Sequence, residues 1–352
     1  MNRLDAGSPW LDTGLVPAGC AACQEVHLVD ADLVGGVCLA CTRGLLEAMP
    51  ARMTAKPESV VPFAHAPETL RTSLDAFIGQ TPMRCPDLQT QNLLARVVAV
   101  WWPMWLVDAD VVGHWSAEAG YNYEAKSSRE TFSGGKWVTQ EVIDTRVRWE
   151  DRVGTVDRHY DNVSVKSVED HDRLVGLLGV TDVSVAVPFT PEQLDSAAIR
   201  VPDLAPDSAW PDAEIALRET AGADCVQAIG SEHLQNFTLH ANYDNRNWTW
   251  LLLPMYVTWY TDNAGVRRPI LINGQTAKIG GQRMASMSKA LMWSAVLLGI
   301  ATVIAGGICV ILLFGLLIPV IFVIMPALVI PAGIALAALW PVIRAWQWNR
   351  AQ

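Results

Sequence analysis

The chain has 352 residues, 51% of them hydrophobic, and a formal net charge of -10. All 36 acidic residues precede Ala290, whereas two of the 26 basic ones, Arg344 and Arg350, follow it, so the part before the C-terminal segment carries 24 - 36 = -12. A surface of that sign repels phosphate backbones and no basic stripe offsets it, which makes nucleic acid an unfavoured partner.

The first residues, Met1 to Leu15, include Arg3, Asp5 and Asp12 and lack the apolar run of a secretory signal, so the amino end is expected in the cytoplasm. In that reducing compartment clustered cysteines point to metal rather than disulfides. Cys20 and Cys23 form one Cys-x-x-Cys knuckle, and Cys38 and Cys41 form a second, 14 residues further on. Each knuckle can supply two thiolates to a tetrahedral Zn2+, and four thiolates close the shell to water, so a structural zinc ribbon is the expectation and a redox dithiol pair the weaker alternative. Glu25 to Asp30 alternates as a strand and Ala31 to Gly36 supplies a turn, with His27 expected on the solvent face of that hairpin.

Gly44 to Pro67 contains five Gly or Pro residues and little periodicity, which predicts a loose tether. Pro67 then opens a short helix with Leu70, Leu74, Phe77 and Ile78 on one face and Gly79 at its stop. From Leu93 to about Val187 the composition is that of antiparallel strands, broken at Gly113, Gly120, Gly134-Gly135 and Gly154. Helical signals return over Pro191 to Ile199 and Asp212 to Ala228, and a second strand-rich stretch covers Phe237 to Ile279, where Asn273-Gly274 fits a type I′ turn. Trp102-Pro103-Met104-Trp105 and Leu253-Pro254-Met255-Tyr256 look alike; the pair reads as a duplicated β unit, with chance similarity as the alternative. The tryptophans around them, including Trp101, Trp105, Trp248, Trp250 and Trp259, are expected in the core, ahead of an interfacial or groove role.

No Asp, Glu, Lys or Arg occurs between Ala290 and Ile343, a stretch long enough for two membrane spans, Ala290 to Phe314 and Leu316 to Trp340, turning near Gly315 and Pro319. Basic residues lie before the first span (Arg267, Arg268, Lys278, Arg283, Lys289) and after the second (Arg344, Arg350), which predicts both termini in the cytoplasm, with Trp293, Trp340, Trp346 and Trp348 as interfacial anchors. No P-loop, Gly-x-Ser-x-Gly, His-Glu-x-x-His or dinucleotide fingerprint is found, so no enzyme is expected. Glu169-Asp170-His171-Asp172, the dense His/carboxylate cluster, reads as a solvated turn.

The order of the paired Cys-x-x-Cys, Val61-Pro62-Phe63, Trp102-Pro103-Met104-Trp105 with Asp108, and Leu253-Pro254 leading to Asn273-Gly274-Gln275-Thr276 and Gly280 resembles the bacterial proteins described as TFIIB-type zinc-ribbon-containing, over roughly residues 20 to 289. The chain has Ala277 and Met284-Ala285 where that family is expected to carry glycine and a proline-containing stretch. The resemblance implies an accessory protein that accompanies membrane-remodelling and flotillin-like scaffold proteins, and it supplies no catalytic residue. The expectation is therefore an α+β protein: a zinc ribbon at 1–43, a linker and short helix at 44–80, a β-rich cytoplasmic domain at 81–289, two transmembrane helices at 290–343 and a cytoplasmic tail at 344–352. Its expected role is that of an adaptor or scaffold at the bacterial inner membrane that recruits a cytoplasmic protein or large assembly, plausible in envelope stress. A membrane-tethered nucleic-acid-binding regulator is the alternative.

Overall fold

The structure is a computed structural model that describes residues 14–50, 56–194, 197–313 and 320–352. In chain order its strands and helices are β1 (Val16–Cys20), β2 (Val26–Val29), β3 (Leu46–Ala48), β4 (Ser59–Val60), α1 (Arg71–Gly79), α2 (Thr90–Leu94), β5 (Val98–Ser133) and β6 (Lys136–Val165). There follow α3 (His171–Leu178), β7 (Val187–Pro188), β8 (Ala198–Arg200), α4 (Pro206–Ile229), β9 (His233–Thr261), β10 (Arg267–Asn273), β11 (Ile279–Gly281), α5 (Met287–Leu313), α6 (Val320–Ala337) and α7 (Trp340–Arg350). The class is α+β with a large, mainly antiparallel sheet. The chain divides into two compact units, and β5 and β9 contribute to both.

The first unit takes the residues up to Pro103, Asp170–Val201 and the chain from Leu252 onward. Its strand order is β11-β10-β9-β5-β8-β2-β1-β3, with β5 and β8 parallel. Pro67 opens a 3-10 turn that leads into α1, and Leu70, Leu74 and Ile78 pack as predicted, against Tyr256, Tyr260, Ile270 and Ile272. Burying such side chains contributes roughly 1.5–3 kcal/mol each, which suffices to hold a nine-residue helix that would be marginal alone.

Three expectations change here. Among the described residues of Pro191 to Ile199 only Pro191–Leu194 is helical, as a 3-10 turn, and Ala198–Arg200 is the fully buried strand β8, because pairing with β2 and β5 outweighs local propensity. Asn273-Gly274 is not a two-residue hairpin turn. Asn273 Oδ1 accepts from the Gln275 and Thr276 amides, and it is Ala277 that takes the left-handed conformation (φ 56°). Gly274 is needed for space instead: a Cβ there would lie 2.5 Å from the Phe63 ring and 2.8 Å from Pro254. Finally, the cysteine segment does not rest on its linker alone, since β2 pairs with β8, His27 opposite Arg200 and Leu28 opposite Ile199.

Two helical stretches of this unit, Met287–Val310 and Val329–Arg350, are long and apolar enough to cross a membrane. Within the apolar 18-residue window of each, only 6% and 17% is buried within the protein. Their outer ends meet. Ala345 is buried with Ala285 and Ala290; Asn349 Oδ1 accepts from the Ala285 amide (2.7 Å) while its Nδ2 donates to the Ala285 carbonyl (3.0 Å). Trp348 donates to the Arg283 carbonyl at 2.5 Å, and the Arg283 guanidinium lies 4.4 Å from the Phe77 ring centre and 5.2 Å from that of Trp348. Trp293, Trp340 and Trp346 remain exposed beside this clamp. The turn expected at Gly315 and Pro319 lies outside the described residues.

The second unit holds the remainder of β5, β6, the first part of β9, and α4, which Pro206 opens and left-handed Gly230 (φ 62°) closes. α4 buries Ala209, Ala213, Leu217, Ala221 and Cys225, and Asp224 accepts from Arg158 (2.8 Å) and Tyr160 (2.9 Å) on β6. Trp105, Trp210 and Trp248 meet edge to face, and Trp105 donates to the Leu204 carbonyl, as expected of aromatic core. β9 begins at His233, beside Gly120 and Asn122. From Tyr123 to the Gly134-Gly135 turn, β5 and β6 run on as a two-stranded ribbon on the order of 35 Å long, exposed on both faces. Both turn glycines have positive φ (61° and 80°), the requirement of a type I′ turn, so this is where the two-residue hairpin lies. At its tip Phe132 and Trp137 meet edge to face, ring centres 5.3 Å apart, and are 60% and 68% exposed.

Candidate metal centre

The four cysteines come together as their spacing predicted. β1 delivers Cys20, the turn into β2 carries Cys23, and the loop leading to β3 carries Cys38 and Cys41. The two knuckles share one hydrogen-bonding scheme. The amide four residues after the first cysteine donates back to its carbonyl (Gln24 to Cys20, 2.7 Å; Thr42 to Cys38, 3.0 Å), and the first cysteine's own amide donates forward (Cys20 to Glu25, Cys38 to Gly44, both 3.0 Å). In each, the residue after the second cysteine is left-handed, Gln24 at φ 63° and Thr42 at φ 55°. Such a conformation is costly for a β-branched residue, and buried Thr42 offsets it in part by donating its hydroxyl to the Cys41 carbonyl at 2.8 Å.

The sulphur atoms of Cys20 and Cys41 are 3.8 Å apart and those of Cys23 and Cys38 3.7 Å, with all four within 4.8 Å of one another. A tetrahedron with metal–sulphur bonds of about 2.3 Å has edges of about 3.8 Å, so this arrangement can hold one metal ion with no position left for water. Gly44 makes that approach possible: a Cβ on it would lie 2.3 Å from the Cys20 sulphur. Burial pushes the Cys38 thiol up to about 11. Burial acts upward on Cys41 too, but the Gly44 and Arg43 amides outweigh it and bring that thiol down to about 7. Metal binding here therefore displaces protons.

Glu25, two residues beyond Cys23, ties the centre to the sheet. It accepts from Arg200 in bidentate fashion (Nε to Oε2 2.8 Å, Nη2 to Oε1 2.5 Å), Asp170 accepts from Arg200 Nη1 at 2.8 Å, and the guanidinium stacks 4.2 Å from the Trp102 ring centre. Arg200 is only 1% exposed. The sequence signal was a single charge within Ala197-Ala-Ile-Arg200-Val201, an apolar run in which a cation implies a buried partner. Asp170, read as part of a solvated turn, is that partner; burial acts against its charge, but Arg200 and Arg173 hold its carboxyl below the usual range.

His27 corrects a further expectation. It is fully buried rather than on a solvent face, in a strand that is an interior member of the sheet, between β1 and β8, rather than one arm of an isolated hairpin. Neither ring nitrogen has a hydrogen-bond partner among the described residues, and burial, reinforced by Arg200, drives its pKa down to about 3. The ring is therefore neutral at pH 7 and takes no part in the cysteine cluster, the group of potential metal ligands found among the described residues. No family model, curated protein or solved structure matches this chain.

Proposed function

We propose that the chain is a non-enzymatic adaptor or scaffold, fixed to the bacterial inner membrane by its C-terminal helices, with both termini in the cytoplasm and a structural Zn2+ in the Cys20, Cys23, Cys38 and Cys41 site. Zinc is favoured by a closed set of four thiolates in tetrahedral spacing, which leaves a metal nothing to activate and much to hold together. Membrane anchoring is supported by two exposed apolar helices whose outer ends are clamped to one another and to the first unit, an arrangement suited to a segment that crosses and returns.

The observation that carries recruitment is the β5–β6 ribbon. Two strands without a third gain little stability from a shared core, and this ribbon presents Phe132, Trp137, Val138 and Ile143 to solvent. Display of that kind suits a partner protein, the cytoplasmic protein or large assembly that the family resemblance implies, with envelope stress as the setting. The test is a pull-down from detergent-solubilised membranes with the full chain and with Phe132→Ser/Trp137→Ser. The adaptor reading expects one or a few proteins retained by the native chain and lost with the double variant. Retention unchanged by the variant would remove the ribbon from the account. Sequence-specific DNA binding that survives raised salt would replace the adaptor by a membrane-tethered regulator.

A further inference from the structure

A cleft of about 810 Å3 opens in the first unit beside the cysteine site. Arg43 from the second knuckle, Arg173 from α3, and Arg267 and Arg268 from β10 line it, together with Ala351 and Gln352 beyond α7. Its two carboxylates, Glu25 and Asp170, are engaged by buried Arg200. Arg268 is held by Asp262 (2.9 Å) and Gln282 (3.0 Å), and Arg173 by Asp170 (2.7 Å). Arg43 and Arg267 make no ion pair and no side-chain hydrogen bond among the described residues.

We infer that this cleft binds a phosphate-class anion, with Arg43 and Arg267 as its principal donors. The wall counts 4 - 2 = +2 from its arginines and carboxylates in a chain of net charge -10. A zinc ion with four thiolates would add 2 - 4 = -2, so overall charge does not do the recognising. Open guanidinium forks do: each presents N–H groups in a plane that matches two oxygens of a phosphoryl group, and two forks from different walls suit a tetrahedral anion better than a flat carboxylate. Near neutrality of the wall disfavours polyanions and favours a single phosphate. The source is either a soluble phosphate compound or the headgroup of an anionic lipid, the latter consistent with a cleft that adjoins the end of the last apolar helix. The soluble arm is independent of the adaptor and membrane readings, so their failures are distinguishable.

The experiment uses the full, zinc-loaded chain in phosphatidylcholine nanodiscs. Inorganic phosphate is titrated by calorimetry, and in parallel native mass spectrometry measures retention of phosphatidylglycerol over phosphatidylcholine. Saturable binding in either arm, weakened at least about tenfold by Arg43→Gln/Arg267→Gln and unaltered by the ribbon variant Arg129→Gln, is the expected result, and the responding arm names the source. Arg267→Gln alone, on β10 rather than in a knuckle loop, should weaken binding while zinc content stays at one per chain. No saturable binding in both arms, or equal affinity in the native chain and the double variant, overturns the inference.

Discussion

The cysteine segment and the β5–β6 ribbon are both small pieces of chain that cannot stabilise themselves, and the protein treats them in opposite ways. The cysteine segment is fixed from several directions: strand pairing to β8, a bidentate Glu25–Arg200 contact, and four sulphur atoms set for one ion. The ribbon from Tyr123 onward is held by its own ladder and a Gly-Gly turn, with its bulky residues in solvent. The first pattern is that of a structural anchor, where every substitution is felt. The second is that of a displayed surface, where stability is low and exposed groups are free to be bound.

The comparison breaks most decisively at the metal. Purified chain should contain one zinc per molecule, and Cys20→Ser or Cys41→Ser should lose it together with local order around β1 and β2. Apparent zinc-binding energies on the order of 10 kcal/mol in small zinc-finger peptides set the scale. Zinc retained in both single variants by elemental analysis would refute the four-thiolate site. Next in size is Arg200→Met, which leaves partly buried Glu25 and Asp170 without their guanidinium partner and should cost about 2–3 kcal/mol in chemical denaturation. Adding Glu25→Gln and Asp170→Asn should recover part of that loss, since the penalty lies in the stranded charges.

His27 sharpens the comparison through pH. Its folded pKa, about 3, lies below the unfolded value of about 6.5, so between those limits the unfolded chain binds the extra proton. Its contribution is intact above about pH 6.5 and is lost as pH falls toward 3. At pH 5 the native chain should have lost about 2 kcal/mol more, relative to pH 7, than His27→Leu, read from paired denaturation curves. The smallest effect belongs to the ribbon: Trp137→Ser, at a 68% exposed position, should change stability by about 0.5 kcal/mol or less. A larger loss would mean that the ribbon is packed rather than displayed.

These contrasts also explain what could be read in advance. The knuckles, the Pro67–Gly79 helix and the apolar C-terminal segment are local patterns, set by spacing and composition over a few residues. β8, buried His27 and the Arg200 anchor depend on which strands lie beside β2, and pairing across about 170 residues of sequence leaves only faint marks on any one segment. The length of the ribbon was hidden for a related reason. Gly134-Gly135 was legible as a break, but the register that makes it the turn of a single hairpin is a relation between two strands.

The central claim, a chain held at one face of a membrane by helices that cross and return, is tested most directly by topology. A reporter fused after Gln352 and another before Met1 should both report cytoplasm, in keeping with the Trp348 and Asn349 contacts to Arg283 and Ala285. A C-terminal reporter found outside while the N-terminal one stays in the cytoplasm would contradict the account.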